Sequence, residues 1–256
     1  MKRTNNGTIL ITAPGGGIGK EITRKLLEDD FKVIGLGGKG SQNFVNELKG
    51  KGHNIDFINC DYYTKDSMLD AISQAKKLTE KINGFIHLAG GSLISKPIDE
   101  ISFDEYQSVM SLNLDSAFLL GRETYKWMKK TGGGNIVLFG STTGFRPSLK
   151  KLPYGVAKAG IHAMTGFFAK EGSEYNIITN TIAPGYVLTE RHVQDIEKKA
   201  EKTGQSYDSL LEKINSKNPL KQTLLPKDIY QLVKLLITTK HIQGQIIKID
   251  SGQILS

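Results

Sequence analysis

The chain has 256 residues, of which 38% are hydrophobic and 23% charged, so it can bury a core and is not a disordered chain. Its formal net charge is +8, but the lysines are scattered instead of clustering with aromatic residues, which argues against a nucleic acid partner. The longest apolar runs fall short of the ~20 residues of a membrane span, and the polar start lacks a signal-peptide core, so we expect a cytoplasmic protein with no membrane partner.

Seven short apolar runs alternate with longer segments of helical period. This alternation predicts one α/β domain over residues 1–256, with a seven-stranded parallel sheet and helices on both faces, as in a doubly wound Rossmann fold. Ligands of such sheets bind at the carboxyl ends of the strands. The predicted strands lie at 8–13, 31–36, 54–60, 84–89, 135–140, 177–183 and 244–250.

A glycine-rich segment, TAPGGGIG, joins the first strand to a helix predicted from about Gly17 to Glu28. Glycines let the backbone approach a pyrophosphate, whose charge the free N–H groups of the following helix stabilise. Glycine clusters also mark ordinary turns, and no Gly-Lys-Ser/Thr follows that would indicate a P-loop. We expect the dinucleotide contacts here to come from Thr12, Ala13, Gly15, Gly16, Gly17, Ile18 and Gly19.

The end of the second strand bears on the choice of cofactor. A carboxylate at this position would bind the ribose 2′-hydroxyl and repel a 2′-phosphate. The chain has none there, which favours NADP(H) over NAD(H), although Lys39 is equally explained as a solvated surface residue. The candidate contacts are Gly37, Gly38, Lys39 and Ser41.

Asp61 and Tyr62 follow the third strand and are further candidates for cofactor binding. The Asp61 carboxylate is placed to meet an adenine amine. It is equally placed to begin the next helix ahead of Thr64, and the sequence leaves both interpretations open.

Tyr154 and Lys158 lie four residues apart and therefore on one face of a predicted helix. A neighbouring ammonium favours the phenolate, so we expect Lys158 to lower the pKa of Tyr154 and make it a usable acid/base. Ser141, just beyond the fifth strand, is expected to face the same cleft. Asn113 is predicted within a helix among apolar residues, where it needs hydrogen-bond partners; a purely structural role is the alternative.

These residues and their order resemble the short-chain dehydrogenase/reductase family. Its TGxxxGxG motif matches Thr12–Gly19 with Ala13 in place of the first glycine, and its NNAG motif matches residues 87–90 only at Ala89 and Gly90. Its asparagine, serine and YxxxK match Asn113, Ser141, Tyr154 and Lys158, and its PGxxxT matches Pro184, Gly185 and Thr189. Within the family the sequence is similar to the 3-oxoacyl-carrier-protein reductases.

The resemblance implies hydride transfer between a nicotinamide and a carbonyl or carbinol carbon. It implies that Tyr154 transfers the proton, that Ser141 holds the substrate oxygen, and that Lys158 binds the nicotinamide ribose and tunes Tyr154. Asn113 would hold a water that links Lys158 to solvent. No metal is implied. The implied cofactor contacts beyond the glycine loop are Ala89, Gly90, Asn113, Tyr154, Lys158, Pro184, Gly185, Val187 and Thr189.

The family also implies a homotetramer formed by the helices that carry Asn113 and Tyr154, which are rich in apolar residues here. His87 departs from the family asparagine and is expected to pack or brace the fourth strand rather than act as a base. Cys60 ends a strand and is expected to pack in the core.

The substrate is expected to be a small carbonyl or hydroxy compound, with a lid built from about residues 186–220. Arg191 and His192 there could meet an anionic group, but a solvated helix face is favoured. A carrier-protein reductase is the alternative; Lys129 and Lys130 suit it, but Tyr175 stands where those reductases usually have arginine. A catalytically silent dinucleotide-binding regulator is less favoured because the tyrosine and lysine are retained.

Overall fold

Seven parallel strands form one sheet at the centre of the computed structural model, which describes residues 6–255. They are β1 (Thr8–Thr12), β2 (Lys32–Gly37), β3 (Ile55–Asn59), β4 (Gly84–His87), β5 (Gly134–Phe139), β6 (Ile177–Pro184) and β7 (Ile246–Ile249). Their order across the sheet is β3-β2-β1-β4-β5-β6-β7, and every neighbouring pair is parallel. The predicted doubly wound sheet is confirmed, and each predicted strand corresponds to an observed one.

Buried side chains alternate between the two faces of β1, as the two-residue period of a strand requires. Ile9 and Ile11 pack into one hydrophobic cluster and Leu10 into the other, and all three are fully buried. Burial on both faces explains why the strands are nearly continuous runs of apolar residues.

The described part of the chain contains nine α-helices, six of which pack on the two faces of the sheet. They are α1 (Gly19–Glu28), α2 (Lys39–Gly50), α3 (Lys65–Leu78), α4 (Phe103–Met110), α5 (Ser116–Thr131), α6 (Leu152–Gly172), α7 (Glu190–Thr203), α8 (Tyr207–Asn215) and α9 (Pro226–Thr238). The cluster around Ile9 includes residues of α1, α2 and α9, and the cluster around Leu10 includes residues of α3, α5 and α6. Within residues 6–255 every helix is too short or too polar to traverse a lipid bilayer.

The first helix begins two residues later than predicted, at Gly19 rather than Gly17. The Gly16 N–H donates to the Ala13 carbonyl oxygen at 3.0 Å, so the chain completes a turn before the helix starts. The glycines at 15–17 therefore belong to the loop, which leaves their backbone outside the regular helix.

The segment that the sequence predicts as a lid, about residues 186–220, contains two helices, α7 and α8. The first of them, α7, follows β6 and so begins near the carboxyl edge of the sheet. The chain order reverses between β1 and β4, and ligands of open α/β sheets bind beside such a reversal. The segments that follow β1, β4, β5 and β6 meet at this edge and build the candidate site.

Candidate active site

Two glycines in the loop after β1 are required by close packing. A methyl group on Gly17 would lie 2.7 Å from Thr189 Cβ, and one on Gly19 would lie 2.1 Å from the Ala13 carbonyl oxygen. The loop therefore lies between the segment after β6 and the start of α1. No side chain caps the first turn of α1. Apart from the Lys20 N–H, which donates to the Gly16 carbonyl oxygen at 2.9 Å, its N–H groups are available to a ligand. This cradle fits the pyrophosphate of a dinucleotide.

Thr12 ties the end of β1 to the end of β4. Its hydroxyl oxygen accepts hydrogen bonds from the Leu88 N–H at 2.8 Å and from the Ala89 N–H at 2.9 Å. It is fully buried, so its side chain fixes the spacing of two cofactor-side segments.

Ala13 takes a left-handed backbone conformation, φ 51°, where the family motif has glycine. The strain of a side chain in this conformation is roughly 1–2 kcal/mol. The Tyr62 hydroxyl accepts a hydrogen bond from the Ala13 N–H at 2.8 Å and donates to the Leu36 carbonyl oxygen at 2.6 Å. Burial raises the pKa of Tyr62, which keeps the phenol in its donating form. Tyr62 thus supports the strained turn that shapes the loop.

The start of α2 forms the adenosine side of the crevice. Gly38 precedes the helix without a capping side chain, and the first turn, which begins at Lys39, contains no acidic residue. The Ser41 hydroxyl oxygen accepts a hydrogen bond from the Gly15 N–H at 3.2 Å, which joins this turn to the glycine loop. The helix terminus and Lys39 both contribute positive charge here.

Both oxygens of the Asp61 carboxylate make local contacts. Oδ1 accepts from the Tyr63 N–H at 3.0 Å and Oδ2 from the Thr64 hydroxyl at 2.7 Å, and these bonds lower the pKa of Asp61. The interpretation of Asp61 as a residue that shapes the start of α3 thus has direct support. Its predicted adenine contact stays a prediction.

Lys158 lies in the interior, on α6, with only 4% of its surface exposed. Its ammonium donates to the Phe139 carbonyl oxygen at 2.9 Å. Burial lowers the pKa of Lys158 to about 7, because the low-dielectric interior disfavours the charged form.

Asn113 lies in a π-helical turn, Ser111–Asp115, between α4 and α5, rather than in a regular helix. The wider turn lets its amide reach other segments: Nδ2 donates to the carbonyl oxygens of Gly91 and Val109, and Oδ1 accepts from the Gly91 N–H. A methyl group on Gly90 would lie 2.6 Å from Asn113 Oδ1 and 3.1 Å from Lys158 Nζ. The segment after β4 therefore brings Asn113 and Lys158 to the same glycine.

Tyr154 and Ser141 are the other two predicted catalytic residues. Burial raises the pKa of Tyr154, while a hydrogen bond with Ser141 and the charge of Arg191 act in the opposite direction. The Lys158 ammonium lies 5.5 Å from the centre of the Tyr154 ring. Burial outweighs the hydrogen bond with Ser141 and the charge of Arg191. The expectation that Lys158 lowers the pKa of Tyr154 stays a prediction.

His162 was not among the predicted site residues. It lies one turn beyond Lys158 on α6 and is buried, with its ring 4.3 Å from the ring of Phe145. Its Nε2 lies 3.5 Å from the backbone nitrogen of Ser141. Burial and the Lys158 charge lower the pKa of His162 to about 4, so it supports the Ser141 turn as a neutral ring. The spacing 154, 158, 162 on one helix face is the signal that could have found it.

His87 is fully buried in β4, as expected for a residue that packs or braces the strand. Its Nε2 lies 3.2 Å from the Ser116 hydroxyl, which itself donates to the Leu112 carbonyl oxygen. Burial and the charge of Lys158 lower the pKa of His87 to about 3, so it is neutral. Cys60 is also buried, as expected, and burial with the charge of Asp61 raises its pKa to about 12.

The segment after β6 closes the nicotinamide side. Pro184 ends the strand, and a methyl group on Gly185 would lie 3.0 Å from the Asp250 backbone. Thr189 precedes α7, and its hydroxyl lies 3.0 Å from His192 Nδ1, which in turn lies 2.7 Å from the Val187 carbonyl oxygen. These contacts hold the turn against the glycine loop.

No group of three or more His, Cys, Asp or Glu side chains in the described part of the chain could hold a metal ion. The site is built from glycine backbone and from hydroxyl, amide and ammonium groups. Such a donor set suits a dinucleotide and a carbonyl group.

The family model described as short chain dehydrogenase matches residues 7–200. The chain belongs to the short-chain dehydrogenase/reductase family. It is 29% identical to a tropinone reductase homologue of Arabidopsis thaliana, over 96% of this chain and 91% of that protein. It is 24% identical to a 3-oxoacyl-[acyl-carrier-protein] reductase of Aquifex aeolicus, over 95% of each chain.

Among solved structures, the chain resembles a short chain dehydrogenase family protein from Francisella tularensis. The two are 27% identical, the TM-score is 0.83, and the match covers 98% of this chain and 99% of that one. Family membership confirms an NAD(P)-dependent oxidoreductase that acts on small molecules, and it confirms the resemblance drawn from the sequence motifs.

The burial of Lys158 predicts a measurable pH effect on the stability of this dehydrogenase/reductase. Between pH 7 and 10.5 the unfolded lysine holds a proton that the folded one has lost, so the free energy of unfolding rises with pH by up to about 1.4 kcal/mol per unit. Chemical denaturation of the wild type and of Lys158→Met measures the free energy of unfolding of each. The value for the wild type minus that for the variant should increase over this pH range and stay level below pH 7.

Lys130→Met is the control, because Lys130 is exposed at the end of α5. Its stability difference from the wild type should change much less over the same range. A difference for Lys158→Met that is independent of pH would show that the lysine is not desolvated in the folded protein.

Proposed function

We propose that this enzyme interconverts a ketone and a secondary alcohol, with Tyr154 as the acid/base. The observation that carries the proposal is the convergence of Tyr154, Ser141, Lys158 and Asn113 beside the glycine loop. When bound, the nicotinamide supplies or accepts the hydride. Polar side chains of the protein position the substrate, a small carbonyl or hydroxy compound.

Each residue has a role that its surroundings support. Ser141 holds the substrate oxygen, because its hydroxyl lies close enough to Tyr154 to favour the phenolate. Tyr154, kept protonated by burial, donates a proton to that oxygen in reduction and accepts it in oxidation. Lys158, with a pKa of about 7, exchanges protons readily at neutral pH and is placed to bind the nicotinamide ribose.

Asn113 acts behind Lys158. Its amide bonds the backbone of Gly91 in both directions, which fixes the segment after β4 beside the lysine ammonium. We assign to it the positioning of Lys158 and of a water that connects this ammonium to solvent. The remaining predicted contacts, from Thr12 to Thr189, hold the dinucleotide along the carboxyl edge of the sheet.

Replacing Tyr154 with phenylalanine tests the assignment. The variant loses the hydroxyl that transfers the proton but keeps the ring, so turnover should fall by a factor of about 10²–10⁴ while the cofactor still binds. The measurement is NAD(P)H absorbance with a panel of ketones, together with a cofactor titration by fluorescence.

Tyr106→Phe is the matched control. The Tyr106 ring stacks on Phe103, and its hydroxyl has no hydrogen-bond partner among the described residues. Turnover in this control should be unchanged. Near-normal turnover in Tyr154→Phe would exclude Tyr154 as the acid/base.

For the cofactor we propose a preference for NADP(H). The support is the start of α2, which Gly38 precedes. Lys39 and the helix N-terminus both contribute positive charge there, and the first turn contains no carboxylate. A 2′-phosphate there would gain charge-assisted hydrogen bonds, with Ser41 as a further donor.

NADPH should therefore bind more tightly than NADH, and Lys39→Glu should weaken NADPH binding more than NADH binding by repelling the 2′-phosphate. Fluorescence titration of both cofactors measures this. Lys77→Glu, the same change at an exposed position of α3, should leave both affinities unchanged. Tighter binding of NADH to the wild type would contradict the preference.

We also propose assembly as a homotetramer through α5 and α6. These helices border a groove of about 760 Å³ that is lined mainly by apolar residues, and Phe167 on its rim is 70% exposed. Exposed apolar surface of this kind is typical of an interface between subunits.

Phe167→Glu should place a charge in that interface and reduce the oligomeric state, which light scattering after gel filtration measures. Phe103→Glu is the control, since Phe103 is equally exposed, at 70%, but lies on α4 outside the groove. An unchanged mass for Phe167→Glu would exclude this face as the subunit contact.

A carrier-protein reductase is less favoured. Lys129, one of the two lysines that would meet an acidic carrier, lies with its ammonium 3.8 Å from the centre of the Tyr175 ring. This contact already occupies Lys129, and Tyr175 stands where those reductases usually have arginine. The retained Tyr154 and Lys158 likewise disfavour a silent dinucleotide-binding regulator.

A further inference from the structure

Two basic side chains, Lys151 and Arg191, flank the cleft in which Tyr154 lies. Lys151 immediately precedes α6 and is three residues from Tyr154 in the chain. Arg191 is the second residue of α7, two residues after Thr189. They come from different segments of the carboxyl edge, so only the fold brings them together.

Lys151 is fixed in place rather than extended into solvent. It is half-buried, and its ammonium donates a hydrogen bond to the Ser92 hydroxyl oxygen at 2.7 Å. Ser92 follows Gly90 and Gly91, which contact the catalytic cluster. The Lys151 charge is thus anchored between the segment after β4 and the start of α6, beside the place of the reacting carbonyl.

Arg191 lies near both Lys151 and the Tyr154 hydroxyl. Its charge lowers the pKa of Tyr154 against the effect of burial, and, after burial, lowers the pKa of Lys151. Arg191 is exposed at the start of α7, where the segment after β6 leaves the carboxyl edge of the sheet.

Neither cation is neutralised within the described part of the chain. No carboxylate there lies within 4.0 Å of Lys151 or Arg191, and Glu190, beside Arg191 in sequence, pairs with Lys20 at 2.6 Å instead. Asp195, one turn further along α7, acts with Arg191 on Tyr186 and His192 but does not form an ion pair with Arg191. Two like charges held close together repel, and an anion between them would remove this cost.

We propose that the substrate carries a small anionic group, a carboxylate or a phosphate, which Lys151 and Arg191 bind while its ketone lies against Ser141 and Tyr154. This rests on the proposed function and narrows it to ketones that bear an anion, and to the corresponding hydroxy compounds. The planar guanidinium of Arg191 can donate two parallel hydrogen bonds to either anion, and the ammonium of Lys151 contributes a positive charge at a fixed position. Together they orient the ketone, so Arg191 and Lys151 determine specificity rather than transfer the proton.

The test compares charged and neutral substrates in matched pairs. Reduction is measured with 2-oxo and 3-oxo acids against their methyl esters, and with dihydroxyacetone phosphate against dihydroxyacetone. We expect kcat/KM to be about 10- to 100-fold higher for the charged member of at least one pair, as a charge-assisted hydrogen bond implies. The pair that shows the preference distinguishes a carboxylate from a phosphate.

Arg191→Met and Lys151→Met should each lower the ratio of kcat/KM, charged over neutral, about tenfold or more, chiefly through KM. Arg191→Lys, which keeps the charge, should restore part of the ratio. Lys202→Met is the control: Lys202 is exposed on the same helix, about 16 Å along the axis from Arg191, and its loss should leave the ratio unchanged. Thermal melting and NADPH titration of each variant establish that it is folded.

Reduction of the neutral members at equal or higher kcat/KM would overturn the anion site and leave the proposed function in place. An unchanged ratio in both Arg191→Met and Lys151→Met would also overturn it. If no ketone in the panel is reduced by the wild type with either cofactor, the proposed function fails, and the anion site fails with it.

Discussion

The burial of the Lys158 ammonium is the constraint on which the active site depends. A charge in the protein interior is costly, and here one hydrogen bond, to the Phe139 carbonyl oxygen, offsets part of that cost. The rest appears as a pKa of about 7, far below that of a solvated lysine.

Two histidines near Lys158 stay neutral, so among these three groups only the lysine changes its charge near neutral pH. His87 and His162 lie on opposite sides of it, in β4 and α6, and burial together with the lysine charge keeps both neutral. Each then serves as a packed ring, one against Ser116 and the other behind Ser141. Tyr154 stays protonated for the same reason, since burial disfavours the phenolate.

Glycines at the edge of the sheet let this cluster close. A methyl group on Gly90 would lie within 3.1 Å of the Asn113 amide oxygen and of the Lys158 ammonium. A methyl group on Gly17 would likewise lie too close to Thr189. Ala13 is the exception: it holds a side chain in the left-handed conformation, which Tyr62 stabilises from across the sheet. The cofactor crevice is therefore set by backbone geometry, with few charged side chains.

The sequence by itself determined the order of strands and helices, because apolar periodicity follows directly from which face of an element is buried. It also predicted the catalytic set that we propose, since Tyr154 and Lys158 share a helix face and the other motifs stand in the order that the family has. It could not show that burial raises the pKa of Tyr154 and lowers that of Lys158, because desolvation depends on every atom packed around a group. Nor could it bring Lys151, Ser92 and Arg191 together: they lie on three segments far apart in the chain, and only the meeting of those segments at the carboxyl edge of the sheet decides which charges face the substrate.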